Sequence, residues 1–168
     1  NNKEIYFTTP SKWCLNAMTQ MNLDKRTRLI THGVDTSIFK FDNSSRKAIR
    51  ERYNIKDDEI LMINIGAMTG NKGILQILIA LLNLLKNGIY TYKLLLKGSR
   101  DLYTSKEFLE QYLDNIKQQI SKSDTELLLK HIIFIDSTFS YSRINDIFNA
   151  CDLYISPYLA EGFNLAVL

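Results

Sequence analysis

Gly66, Gly70, Lys72 and Gly73 are the residues whose types and spacing best suit chemistry on an anionic ligand. They follow a nearly continuous apolar run, Leu61, Met62, Ile63 and Ile65, which reads as a parallel strand covered on both faces. The glycines let the backbone turn sharply and approach a ligand, and a helix after Gly73 would aim its free N–H groups at a phosphate. Lys72 falls where that helix starts. A cation there opposes the helix dipole by roughly 0.3–1 kcal/mol, so the position makes sense if an anion meets it. Spacing alone leaves a solvated turn lysine equally open. The stretch lacks the GK[ST] ending of a Walker loop and does not fit GxGxxG. His32 has no second histidine before His131, so it reads as a hydrogen-bonded turn residue and not as a metal ligand. Cys14 and Cys151 are far apart and outside any CxxC pattern, as reduced core thiols of a cytosolic protein would be. With no GxSxG elbow, HExxH pair or cysteine nucleophile pattern, hydrolase readings have no support.

The elements that must position this turn follow from periodicity. The 168 residues are 45% hydrophobic, enough for the core of about one domain. The 21 basic and 18 acidic residues are interspersed and give a net charge of +3. That balance offers nucleic-acid binding little support and suits an anionic small molecule. The longest apolar stretch, Ile74 to Leu85, is too short to span a bilayer, and no signal peptide opens the chain. Because it begins at Asn1 and stops abruptly at Leu168, the chain is expected to be a piece of something longer.

A short strand is expected at Glu4 to Thr8 and a helix from a Ser11 cap to about Met21, a unit without neighbours of its own. A strand follows at Arg28 to Thr31, a turn at His32 to Asp35 and a surface helix at Asp42 to Tyr53. After the Leu61 to Ile65 strand come a helix at Ile74 to Lys86, a strand at Tyr92 to Lys97 and a helix at Ser105 to Ser121. A strand at His131 to Asp136, a helix at Tyr141 to Cys151, a strand at Leu153 to Ser156 and a helix opening at Ala160 complete the pattern. Such alternation predicts an α/β fold with a doubly wound parallel sheet, whose ligand sits at the carboxyl ends of the strands. Gly66 to Gly73, Gly98-Ser99, Ser137 to Ser140 and Tyr158 to Asn164 all fall on that edge.

Taken together, these segments resemble the nucleotide-sugar-binding half of a GT-B glycosyltransferase of family 4, the group 1 transferases. His32-Gly33-Val34-Asp35-Thr36-Ser37-Ile38-Phe39 is similar to that family's interdomain N/H-G-V-D-x-x-x-F linker. Gly66 to Gly73 is similar to its G-R-L-x-x-x-K-G phosphate turn, and Ala150-Cys151-Asp152-Leu153 to its A-x-D junction. Pro157 with Glu161-Gly162-Phe163 is similar to its P-S-x-x-E-G-F-G donor loop.

The resemblance implies a Rossmann-like half of a GT-B fold, incomplete at its C-terminus. Residues 1–30 would be the last strand and helix of an acceptor domain, 31–58 a linker and surface helix, and 59–168 the donor-binding domain. Lys72 would neutralise the donor pyrophosphate, and Glu161, the first acid of a Glu-x7-Glu motif, would accept hydrogen bonds from sugar hydroxyls. Gly162, Phe163, Asn164 and Leu165 would bring backbone N–H groups to the phosphates, Ser137 and Phe139 would flank the base, and Gly66, Ala67, Met68, Gly73 and Gly98 complete the expected donor site.

The implied activity is a retaining transfer of a hexose from a nucleoside diphosphate sugar to an acceptor hydroxyl, without cofactor or required metal. The acceptor is open among saccharide, lipid and protein glycan, and the protein would be cytoplasmic, with attachment to a membrane face possible for a lipid acceptor. Alone, the 168 residues should be inactive. Three departures stand out: Ala67 replaces the arginine of the phosphate turn, with Lys97 or Arg100 as substitutes; Asn164 replaces the last glycine of the donor loop; and the second glutamate would fall just after Leu168. A noncatalytic nucleotide-sugar-binding module and a sugar-nucleotide epimerase are the alternatives.

Overall fold

The structure is a computed structural model and describes residues 5–100 and 103–168. These fall into two compact units, one holding the described residues up to Asp35 together with Phe163–Leu168, the other Thr36–Gly162.

In the first unit, β1 (Phe7–Thr9) pairs in parallel with β2 (Thr27–Leu29), and α1 (Lys12–Gln20) connects them. The Ser11 side chain caps α1 by accepting from the Cys14 N–H. The expected isolation of this segment is corrected by that pairing: the strand read at Arg28 to Thr31 is its neighbour. Glu4, at which the first strand was expected to open, lies outside the described residues. His32 meets the Phe163 ring edge-on, with centroids 4.6 Å apart. The helix expected from Ala160 does not form. Only a single 3-10 turn, Leu165–Val167, follows, because Asn164 adopts a left-handed conformation at φ 59° that interrupts helical geometry.

The second unit begins with α2 (Asn43–Arg52), capped by Asp42, whose carboxylate accepts from the N–H groups of Ser44 and Ser45. Then come β3 (Ile60–Ile65), α3 (Ile74–Lys86), β4 (Tyr92–Lys97), α4 (Ser105–Lys117), α5 (Lys122–Lys130), β5 (Ile132–Ile135), α6 (Tyr141–Ala150) and β6 (Leu153–Tyr154). The helix expected to run to Ser121 ends four residues sooner, and Ser121 instead caps α5. The strands are all parallel, in the order β5-β4-β3-β6.

Alternation along the strands sends side chains to opposite faces. Met62, Leu94 and Leu96 pack under the apolar side of α3 with Leu109 and Ile116 of α4 and Leu128 of α5. Leu61, Ile63 and Leu95 pack with Ile49 of α2 and with Ile147 and Ala150 of α6. Helices therefore cover both faces, as the sequence predicts for a doubly wound sheet. The chain steps outward from β3 to β4 to β5, then crosses back to place β6 on the other side of β3. Strand order thus reverses between β3 and β6, and loops leaving such neighbours in opposite directions open a crevice at their carboxyl ends. Among the described residues no helix is long and apolar enough to cross a membrane.

Candidate functional site

Both loops at this switch point carry residues singled out by sequence. Gly66 to Gly73 leaves β3, and Ile155 to Gly162 leaves β6. The first is held from below: Met68 is wholly buried in the core, and its carbonyl accepts from the Tyr112 hydroxyl at 3.1 Å. Thr69 leads into a 3-10 turn, Gly70–Lys72, and Gly73 then enters α3 with φ 66°. A Cβ on Gly73 would lie 2.4 Å from the Pro157 carbonyl oxygen. Glycine is therefore needed both for the left-handed backbone and for the approach of the two loops.

The second loop is tied to the first by amides. The Leu159 N–H donates to the Asn71 carbonyl at 2.8 Å, and the Asn71 side-chain amide donates to the Ala160 carbonyl at 3.0 Å. Asn64, fully buried in an otherwise apolar strand, donates to the Ile155 carbonyl at 2.6 Å. These bonds set Glu161 opposite Lys72, whose ammonium forms an ion pair with its carboxylate. The Lys72 Nζ also lies 4.1 Å from the centroid of the Tyr158 ring. The Tyr158 hydroxyl is 3.2 Å from that of Tyr154, which donates to the Ile65 carbonyl. Burial, then the bond to Tyr158, push the Tyr154 phenol well above its ordinary range.

The chain is thus able to present one cation and one carboxylate, side by side, at the carboxyl edge of a parallel sheet. An anion arriving there would find the ammonium, and a hydroxylated ligand the carboxylate.

The other expected residues are placed differently. Ala67 is half-buried beside Met68 and carries no charge. Both substitutes for the missing arginine already have partners: Lys97 is buried, donates to the Gly98 carbonyl at 2.5 Å and lies 5.4 Å from the Phe139 ring, while the largely exposed Arg100 pairs with Asp136. Burial pushes the Lys97 ammonium below its usual range, and the Asp136 charge pulls the other way. Gly98 is needed for packing, since a Cβ there would sit 2.6 Å from that of Ser105. Ser137 is exposed on the loop after β5, and Phe139 packs partly into the core beside Ile135 and Ile147. Gly162 is exposed, and the Gly162 N–H donates to the Glu161 carboxylate at 3.0 Å. Phe163, Asn164 and Leu165 belong to the first unit.

Cys14 and Cys151 are free and half-buried; Cys151 packs against the core with Ile147 and Ala150, and burial raises its thiol, whereas Cys14 is not in either core cluster. No group of three or more metal-binding side chains gathers among the described residues. The sequence places Asn71 and Tyr158 in segments at the ligand edge without a role for either, and Asn64 is not singled out at all. Asn64 carried a signal, a lone amide in LMINI, while Asn71 and Tyr158 look like ordinary turn residues until the loops are seen together.

The family described as "Glycosyl transferases group 1" matches residues 45–168. No curated protein matches the chain in sequence. Among solved structures, Anabaena Alr3699/HepE in complex with UDP-glucose is 19% identical with a TM-score of 0.70, over 99% of this chain and 42% of that one. The α,α-trehalose 6-phosphate synthase of Burkholderia multivorans is 14% identical with a TM-score of 0.66, over 95% and 40%. The C-terminal domain of LpcC, a glycosyl transferase group 1 family protein of Francisella tularensis, is 23% identical with a TM-score of 0.59, over 80% and 64%. The chain thus spans about two fifths of the length of the first two of these proteins.

Proposed function

Because the chain belongs to the group 1 glycosyl transferases, we propose that it supplies the donor-binding part of an enzyme that moves a hexose from a nucleoside diphosphate sugar to an acceptor hydroxyl with retention of configuration. The observation that carries the reading is the Lys72–Glu161 pair at the switch point between β3 and β6. In the bound state Lys72 turns from Glu161 to the pyrophosphate, and it offsets the charge that builds on the leaving diphosphate as the glycosidic bond breaks. Glu161, released, accepts hydrogen bonds from sugar hydroxyls and fixes the ring against the acceptor. The nucleotide structure of HepE supports a uridine diphosphate sugar as the first donor to try. Ser137 and Phe139 flank the base, and no bound metal is required. A hydroxyl on a saccharide, a lipid or a protein glycan would serve as acceptor, and the reaction would face the cytoplasm.

A second reading, a binding module without turnover, is favoured by one observation: Ala67 leaves the phosphate turn with a single cation. The test is a transfer assay on the complete protein with uridine, guanosine and adenosine diphosphate hexoses and a panel of hydroxyl acceptors, followed by NMR of the product anomer. The expected result is release of free nucleotide and a glycoside of unchanged anomeric configuration. Binding without turnover would select the module reading, and a product still carrying its nucleotide would select an epimerase. The 168 residues by themselves should transfer no sugar above a no-protein control.

A further inference from the structure

We propose that Tyr158 is the positioning residue for Lys72, holding the ammonium over its ring face so that one cation can serve a turn in which Ala67 leaves no second. This rests on the donor-site reading above and names a residue of that same site.

Lys72 has two partners of different kinds, the Glu161 carboxylate and the Tyr158 ring at 4.1 Å from its Nζ. A diphosphate arriving at the turn carries the same sign of charge as Glu161, so the carboxylate must yield its place. The ring need not. Its face attracts a cation through a quadrupole and uses none of the hydrogen-bond directions that an ammonium turns toward phosphate oxygens. A lysine side chain that lost Glu161 and had no other contact would regain the rotamer freedom of a long flexible stem. Over the ring it keeps its place while its charge changes partner.

Tyr158 is itself fixed from several sides. Pro157 precedes it against Gly73, the Leu159 N–H is bonded to Asn71, and its hydroxyl receives the Asn64 amide at 3.4 Å and faces the Tyr154 hydroxyl at 3.2 Å. A hypothetical Cβ on Gly66, where the turn begins, would be 3.8 Å from that hydroxyl. The ring is therefore built into the floor between the two loops.

The test uses the complete protein and the nucleoside diphosphate that binds it most tightly among those of uridine, guanosine and adenosine. Lys72→Ala weakens binding if the donor-site reading holds. Tyr158→Leu should weaken it about three- to tenfold, the range of a partly exposed cation–π contact. Tyr158→Phe, which keeps the ring face, should recover most of that loss, and Lys72→Ala with Tyr158→Leu should bind no more weakly than Lys72→Ala alone. Additive losses would overturn the proposal while leaving the donor site standing, and no loss from Lys72→Ala would overturn both. NMR supplies a check on the unmutated protein. The Lys72 Cε protons should be shifted upfield by the ring current with and without nucleotide, and ordinary shifts in the bound protein would contradict the role given to Tyr158.

Discussion

At the scale of single residues, the proposed site is a pair of opposite charges that would have to part for a donor to enter. If Lys72 serves a donor diphosphate as proposed, Glu161 competes with it, and Glu161→Gln should have opposite effects on two ligands. The free nucleoside diphosphate should bind as well as before or up to about fivefold tighter, the range of a partly exposed ion pair. The nucleotide sugar should bind more weakly, because its hydroxyls lose a charged acceptor. Titration of both ligands on the variant checks this, and parallel losses for the two would remove the competition from the account. Gly73→Ala should destabilise the fold by about 1–3 kcal/mol in chemical denaturation, since the added methyl meets the Pro157 carbonyl on a left-handed backbone. In the sequence Gly73 and Lys72 stand out as a glycine and a cation at a strand-to-helix turn, where spacing alone leaves a solvated lysine open, and Glu161 stands out only through the family resemblance. Tyr158 and Asn71 do not stand out, because their roles come from a contact between loops some ninety residues apart, which no local pattern encodes.

At the scale of elements, the junction of α6 with β6 explains how the second loop is held at the edge. Asp152 accepts the Leu61 N–H at 2.8 Å and pairs with Arg46 at 2.6 Å and Arg50 at 3.0 Å. One carboxylate thereby joins β6 to β3 and to α2. Burial alone would raise the Asp152 carboxyl, but the Leu61 N–H and the two guanidiniums outweigh it and hold it below the usual range. Asp42, bonded by Ser45 and Ser44, is lowered to about 2. Both groups bind protons less readily folded than unfolded. Their stabilisation is complete above an unfolded carboxyl value of about 4 and is lost as pH falls through the lower folded values. Denaturation midpoints should therefore hold from neutrality to about pH 5 and drop between about pH 4 and 2. Asp152→Ala should cost about 2–4 kcal/mol at pH 7, because Arg50 is left buried without its carboxylate. It should also flatten that acid limb.

Strands and helices with a buried face were legible: the apolar runs at Leu61 to Ile65 and Tyr92 to Lys97 and the helix at Ile74 to Lys86 stand where periodicity puts them. The helix expected from Ala160 failed for a tertiary reason. The backbone at Leu159 and Ala160 is engaged by Asn71, and Asn164 turns left-handed, so helical geometry is not taken up.

At the scale of the whole molecule, the sheet unit is a doubly wound α/β layer with strand order reversing between β3 and β6, and the chain belongs to the group 1 glycosyl transferases. Protection should follow the layering. In native-state hydrogen exchange, amides of β3 and β4, flanked by strands on both sides and covered on both faces, should be the slowest, and those of the Leu165–Val167 turn among the fastest. The central claim, that the turn between β3 and α3 receives a donor diphosphate through Lys72, is tested most directly by calorimetric titration of the complete protein and its Lys72→Ala variant with uridine, guanosine and adenosine diphosphates. One of them should bind, and the variant should bind it about 5- to 150-fold more weakly, the loss of one charge-assisted phosphate contact. Equal binding by the two proteins, or no binding by either, would contradict that claim.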